Sequence, residues 1–184
     1  PLVSKEIHYN PIEAGNDTTE FIELLNTGNT PLDLSGFTFT NGVVFTFPAN
    51  TIINPRSFVV IAGNASAFAS FYGCSPDYEW TSGALSNGGE LILISAGGGG
   101  EVDRVDYDDN NGWPTAPDGD GPSLELIDPA GDNEDPTNWE ASSIVGGTPG
   151  APNNGSVTRC VPEPIQVTSI TLNKFFFPSV GWDA

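Results

Sequence analysis

The chain has 184 residues, with 24 acidic against 5 basic side chains and a formal net charge of −19. That balance excludes nucleic-acid binding, which needs Lys and Arg against phosphate, and docking on anionic membrane surfaces. With 22 Gly, 16 Pro and 38% hydrophobic residues, the composition supports one β-rich core and leaves little room for helices.

The first strand spans residues 2–10 and ends at Pro11. Residues 13–19 form a polar loop. The organising stretch follows at 20–39: a strand at 20–26 with Ile22 and Leu24 on one face and Phe21, Glu23 and Leu25 on the other. Turn residues at 27–31 come next, then 32–34 and a strand at 37–40, so two strands lie close in space. Asn41-Gly42 between apolar runs predicts a hairpin to 43–47. Residues 56–62 read as a strand buried on both faces, and 65–72 as a helix-permissive segment of about two turns. Strands follow at 90–95 and 101–107, joined by Gly97 to Gly100. Val102 and Val105 are out of phase, which places a bulge or face switch between them. A last core strand covers 123–129, and the polar run 130–154 is anchored by Trp139. Roughly eight short strands between turn signals make the pattern of an antiparallel sandwich.

Several stretches together resemble the lamin-tail domain family of the bacterial extracellular type. They are Glu6-Ile7-His8-Tyr9-Asn10-Pro11, Glu20-Phe21-Ile22-Glu23-Leu24-Leu25-Asn26 and Leu32-Asp33-Leu34-Ser35-Gly36-Phe37, in that order. Phe45-Thr46-Phe47-Pro48, Leu85-Ser86-Asn87-Gly88-Gly89-Glu90-Leu91, Gly121-Pro122-Ser123-Leu124-Glu125-Leu126, Asp135-Pro136-Thr137-Asn138-Trp139 and Gly147-Thr148-Pro149-Gly150-Ala151-Pro152-Asn153 continue the pattern. The resemblance covers about residues 2–154. It implies an all-β, immunoglobulin-like antiparallel β-sandwich and a non-catalytic module found beside secreted or surface proteins. The expected organisation is a sandwich over 1–154 and a linker with a strand-prone C-terminal extension over 155–184.

Little points to catalysis. His8 is the only histidine and reads as an exposed residue within a strand, with no nucleophile near it in sequence. The glycine run 97–100 lacks the Lys-Ser/Thr of a phosphate loop. The density of carboxylates is the chemical signal. Residues 101–140 carry Asp106, Asp108, Asp109, Asp118, Asp120, Asp128, Asp132 and Asp135, with Glu101, Asp103, Glu125, Glu134 and Glu140, against Arg104 alone. Hard cations favour such oxygens on irregular loops, so the eight aspartates are candidate calcium ligands. Solvated Asx-turns are the plainer reading. Trp80, Tyr107 and Trp113 are candidate stacking platforms for a glycan, although large aromatics are more often core.

Cys74 and Cys160 are the only cysteines, and in this Thr/Asn/Gly-rich composition without Met they suggest one disulfide and a secreted context. Asn16, Asn64 and Asn154 begin N-glycosylation patterns that matter only in a glycosylating host. The tail 165–177 is β-branched and aromatic, with Ile165, Val167, Ile170, Leu172, Phe175, Phe176 and Phe177 as its apolar residues. It could fold back as an edge strand, begin another domain, or be donated to a neighbouring subunit. The function expected is a secreted, non-enzymatic structural or adhesion module that engages copies of itself or other surface proteins. The alternative is a calcium-dependent accessory binding module.

Overall fold

The computed structural model describes residues 2–13 and 15–153. In chain order the strands are β1 (Leu2–His8), β2 (Phe21–Asn26), β3 (Leu32–Asp33), β4 (Thr38–Asn41), β5 (Phe45–Thr46), β6 (Ile52–Ile53) and β7 (Phe58–Ala62). Helix α1 (Ala65–Tyr72) follows, then β8 (Tyr78–Glu79), β9 (Glu90–Ser95), β10 (Glu101–Tyr107), β11 (Leu124–Leu126), a 3-10 turn (Pro136–Asn138) and β12 (Trp139–Ala141). A six-stranded sheet has the order β12-β11-β1-β2-β7-β8; a four-stranded sheet has the order β10-β9-β4-β5; β3 and β6 make a small ribbon. All pairings are antiparallel except that of β7 with β8.

Alternation explains how the layers form. Ile22 and Leu24 of β2, Ile7 of β1 and Leu124 and Leu126 of β11 point to one face of the large sheet. There they share one core with Phe39, Ile92, Ile94 and Val105 of the small sheet. Each fully buried aliphatic side chain contributes about 1.5–3 kcal/mol, so this shared core is the main attraction between the sheets.

The organising stretch splits between the sheets. β2 pairs with β1 and β7, whereas β4 pairs with β5 and β9, so the two strands face one another across the core. The Asn41-Gly42 hairpin forms with a wide connection: Phe39 opposes Phe45, Val43 turns into the core and Val44 bridges to Ser82. Gly42 has φ +83°, and burial of Val43 outweighs the tight two-residue turn. Short pairings at β3, β5, β6 and β8 raise the strand number above the eight read from pattern. The bulge in β10 falls at Val102, between Glu101 and Asp103.

The second face of the large sheet is covered as well. At one end lies α1, capped by the Asn64 side chain accepting from the Ala67 amide at 2.9 Å and by Gly73 in the left-handed region. Its Phe68 packs on Phe21, Val60 and Ala62. At the other end lies an irregular strap, residues 142–153. It is tied down by Gly146 N to the Gly121 carbonyl (2.7 Å) and by the Tyr72 hydroxyl to the Gly146 carbonyl (2.9 Å).

Candidate functional site

Beneath the strap lies a row of glutamates. Register places Glu6 of β1 opposite Glu125 of β11 and Glu23 of β2, and Glu125 opposite Glu140 of β12. Adjacent strands thus bring four carboxyls onto one face, and Glu6, Glu23 and Glu125 are fully buried. The β-bulge between Ser4 and Glu6 adds Lys5 to this group. With one extra residue in β1, the side chain before Glu6 turns to the same side instead of into the sandwich core. Lys5 is 5% exposed.

The strap, with Ser123 beside β11, supplies the hydrogen bonds that burial demands. Thr148 N donates to Glu6 Oε1 (2.6 Å), the Thr148 hydroxyl to Glu125 Oε1 (2.7 Å) and the Ser123 hydroxyl to Glu6 Oε1 (2.7 Å). Gly150 N donates to Glu23 Oε2. Gly147, with φ +69°, passes so close that a Cβ there would run into Glu6 and Ser123. Glu23 Oε1 and Glu125 Oε2 have no hydrogen-bond partner among the described residues. Burial, then the neighbouring Glu6, holds the Glu23 carboxyl well above the usual carboxylate range. Burial lowers Lys5, opposed by the fields of Glu23, Glu6, Glu125 and Glu140.

The Lys5 side-chain nitrogen donates to the Leu126 carbonyl at 3.0 Å and to Asn153 Oδ1. Asn153 Nδ2 donates to the same Leu126 carbonyl at 2.9 Å. One backbone oxygen therefore orients both the amine and the amide.

Another buried carboxyl, outside the row, lies immediately before β2. Glu20 accepts from the Leu85 amide at 3.0 Å, and burial pushes it up to about 8. Tyr107, beside it, donates to the Ser86 carbonyl at 2.7 Å.

His8 corrects the sequence reading. It is 1% exposed, with Nδ1 3.3 Å from the Thr19 carbonyl and the Tyr72 hydroxyl, and Nε2 3.2 Å from the Gly121 carbonyl. The side chain occupies the sheet face that α1 and the strap cover, which local alternation could not reveal. The three candidate glycan platforms are also core residues. Trp80, Tyr107 and Trp113 are 5%, 1% and 7% exposed, because the sandwich closes over them.

The calcium candidates are spread along loops. Asp108 Oδ1 accepts from Asn110 N, Asp128 Oδ1 from Ala130 N, Asp132 Oδ1 from Glu134 N and Asp135 Oδ1 from Thr137 N, each two residues on. These are Asx-turns. Asp109 and Asp118 accept from the side chains of Asn110 and Asn10, and Asp106 and Asp120 are exposed. Among the described residues, no three His, Cys, Asp or Glu side chains gather in a way that would hold a metal ion. Cys74 packs against the Phe68 cluster. Its expected partner Cys160, and the tail residues Ile165, Val167, Ile170, Leu172, Phe175, Phe176 and Phe177, lie outside the described residues.

The glutamate row is not legible in the local sequence, because its members come from four strands far apart in the chain. The available signal was a glutamate between apolar neighbours, Glu23 between Ile22 and Leu24 and Glu125 between Leu124 and Leu126; Glu6, which follows Lys5, carries no such mark.

Comparison with known proteins bears on the fold. A solved structure of a DUF4876 family protein from Bacteroides thetaiotaomicron is similar at 15% identity, over 76% of this chain and 70% of that chain, with a TM-score of 0.53. No curated protein matches the chain. The family model of the Lamin Tail Domain matches residues 2–109, which run from β1 through β10. Lys5, Glu6 and Glu23 fall inside that match, while Glu125, Thr148, Gly150 and Asn153 fall after it, although β11 and β12 complete the same sheet. With more than half its length matched, the chain belongs to the Lamin Tail Domain family, as an all-β, immunoglobulin-like sandwich.

Proposed function

We propose that the protein is a non-catalytic, extracellular structural module that associates with copies of itself or with other surface proteins, and that the tail 165–177 adds a strand to a neighbour. One observation carries the docking part of this reading. Ile12, Phe71 and Val145 are 61%, 49% and 54% exposed and line one shallow pocket together, on a chain whose net charge is −19. Clustered apolar side chains on a strongly charged surface mark a contact region for another protein. The polar groups that would otherwise suggest chemistry, Glu6, Glu125 and His8, are buried and bonded to the fold itself. Among the described residues no helix is long and apolar enough to cross a membrane.

Light scattering and electron microscopy of the full chain, a chain lacking 165–184, and a Phe71→Ser variant test the reading. Oligomers or fibres that persist unchanged in the truncated chain refute the donated strand. Unchanged association of the Phe71→Ser variant refutes the apolar patch as the contact.

A further inference from the structure

We propose that Lys5 and Asn153 are joined by an intramolecular isopeptide bond that the fold forms by itself. The observation is a buried lysine amine seated on a side-chain amide. Lys5 Nζ contacts Asn153 Oδ1, and both side-chain nitrogens donate to the Leu126 carbonyl, at 3.0 and 2.9 Å. Reactants held in this way gain the large rate advantage of intramolecular reaction. The bulge in β1 brings Lys5 to the strap, 148 residues away in sequence.

The surroundings suit the reaction. A lysine attacks only as the neutral amine, and burial favours that form, as for other nucleophilic lysines. Glu23 exerts the strongest field of any carboxyl on Lys5, and its Oε1 is buried without a hydrogen-bond partner among the described residues. Burial, then the neighbouring Glu6, raises the proton affinity of Glu23, which suits it to hold and return the proton. The balance is simple. Nζ adds to Asn153 Cγ, a Cγ–Nζ bond forms and the Cγ–Nδ2 bond breaks. The two protons that Nδ2 already carries and one lost by the amine leave with it as ammonia. Neither carbon nor nitrogen changes oxidation state, so no oxidant or reductant is needed. The product is a secondary amide that clasps the first strand of the sandwich to the last described residue of the strap. This inference is independent of the assembly reading, because the bond lies within one chain.

The test is intact mass spectrometry of the full chain, reduced and denatured, followed by digestion. The expected mass is below the sequence value by one ammonia, with a branched peptide joining the segments around Lys5 and Asn153. Lys5→Met and Asn153→Ala each restore the full mass. Glu23→Gln folds, by near-ultraviolet circular dichroism, and stays open. A full-chain mass equal to the sequence value overturns the proposal. So does an ammonia deficit without the branched peptide, which cyclisation at Asn41-Gly42 or Asn87-Gly88 would give, or one that persists in Lys5→Met. A folded Glu23→Gln chain that closes as fast as the parent removes Glu23 from the chemistry.

Discussion

Substituting Gly147 by alanine tests how tightly the strap fits over the glutamate row. Gly147 has φ +69°, and its added Cβ would meet Glu6 Oε1 and the Ser123 side chain, with Ser123 Cβ 2.7 Å away. The left-handed backbone costs an L-residue roughly 1–2 kcal/mol. Overpacking a filled interior adds about 1–3 kcal/mol. The neighbours here are a carboxylate and its hydrogen-bond donor, both buried, so they have little room to yield. The expected loss is therefore roughly 2–5 kcal/mol. Gly99 supplies the control. It has φ +88° with nothing within 4 Å of its added Cβ, so Gly99→Ala incurs only the backbone part. Urea titrations of both variants, read as a shift in midpoint at constant slope, separate the two contributions. Equal midpoints for Gly147→Ala and Gly99→Ala would refute the close approach.

Glu20 sets a pH dependence. Its folded pKa of about 8 lies above the ordinary 4.5, so its stabilising contribution is fully present below pH 4.5, declines above it and is gone once pH passes about 8. The loss amounts to up to roughly 5 kcal/mol. Glu20→Gln, which keeps the acceptor for the Leu85 amide, removes this part of the pH slope; identical slopes in urea titrations from pH 4 to 9 would count against it. A Cys74–Cys160 disulfide predicts no reactive thiol in the unreduced, denatured chain, checked by thiol titration. Two reactive thiols would rule it out. Four of the eight calcium candidates already serve Asx-turns and the eight are spread along loops, so the expected melting midpoint is the same in chelator and in millimolar calcium. A rise that sodium at matched ionic strength does not reproduce would place a cation in these loops.

Local information determined much of this fold. Alternation in 20–26 and 90–95 specified strands because side-chain period is a property of a few consecutive residues. Asn64 and Gly73 bounded α1 because caps satisfy backbone groups within a turn of the helix. Polar residues around Asp108, Asp128 and Asp132 were legible as turns for the same reason. Tertiary structure decided which strands pair and what covers the outer sheet face. Glu6, Glu23 and Glu125 meet only because β1 lies between β2 and β11, and Thr148 reaches Glu6 across 142 positions. His8 looked exposed because nothing near it in sequence says that Tyr72 and Gly121 close over it. Nothing beside Lys5 in the sequence marks it: a one-residue bulge turns it beneath the strap and onto Asn153. Burial of a polar side chain depends on partners supplied by remote segments, and those partners are set by packing of the whole domain rather than by the residues beside it.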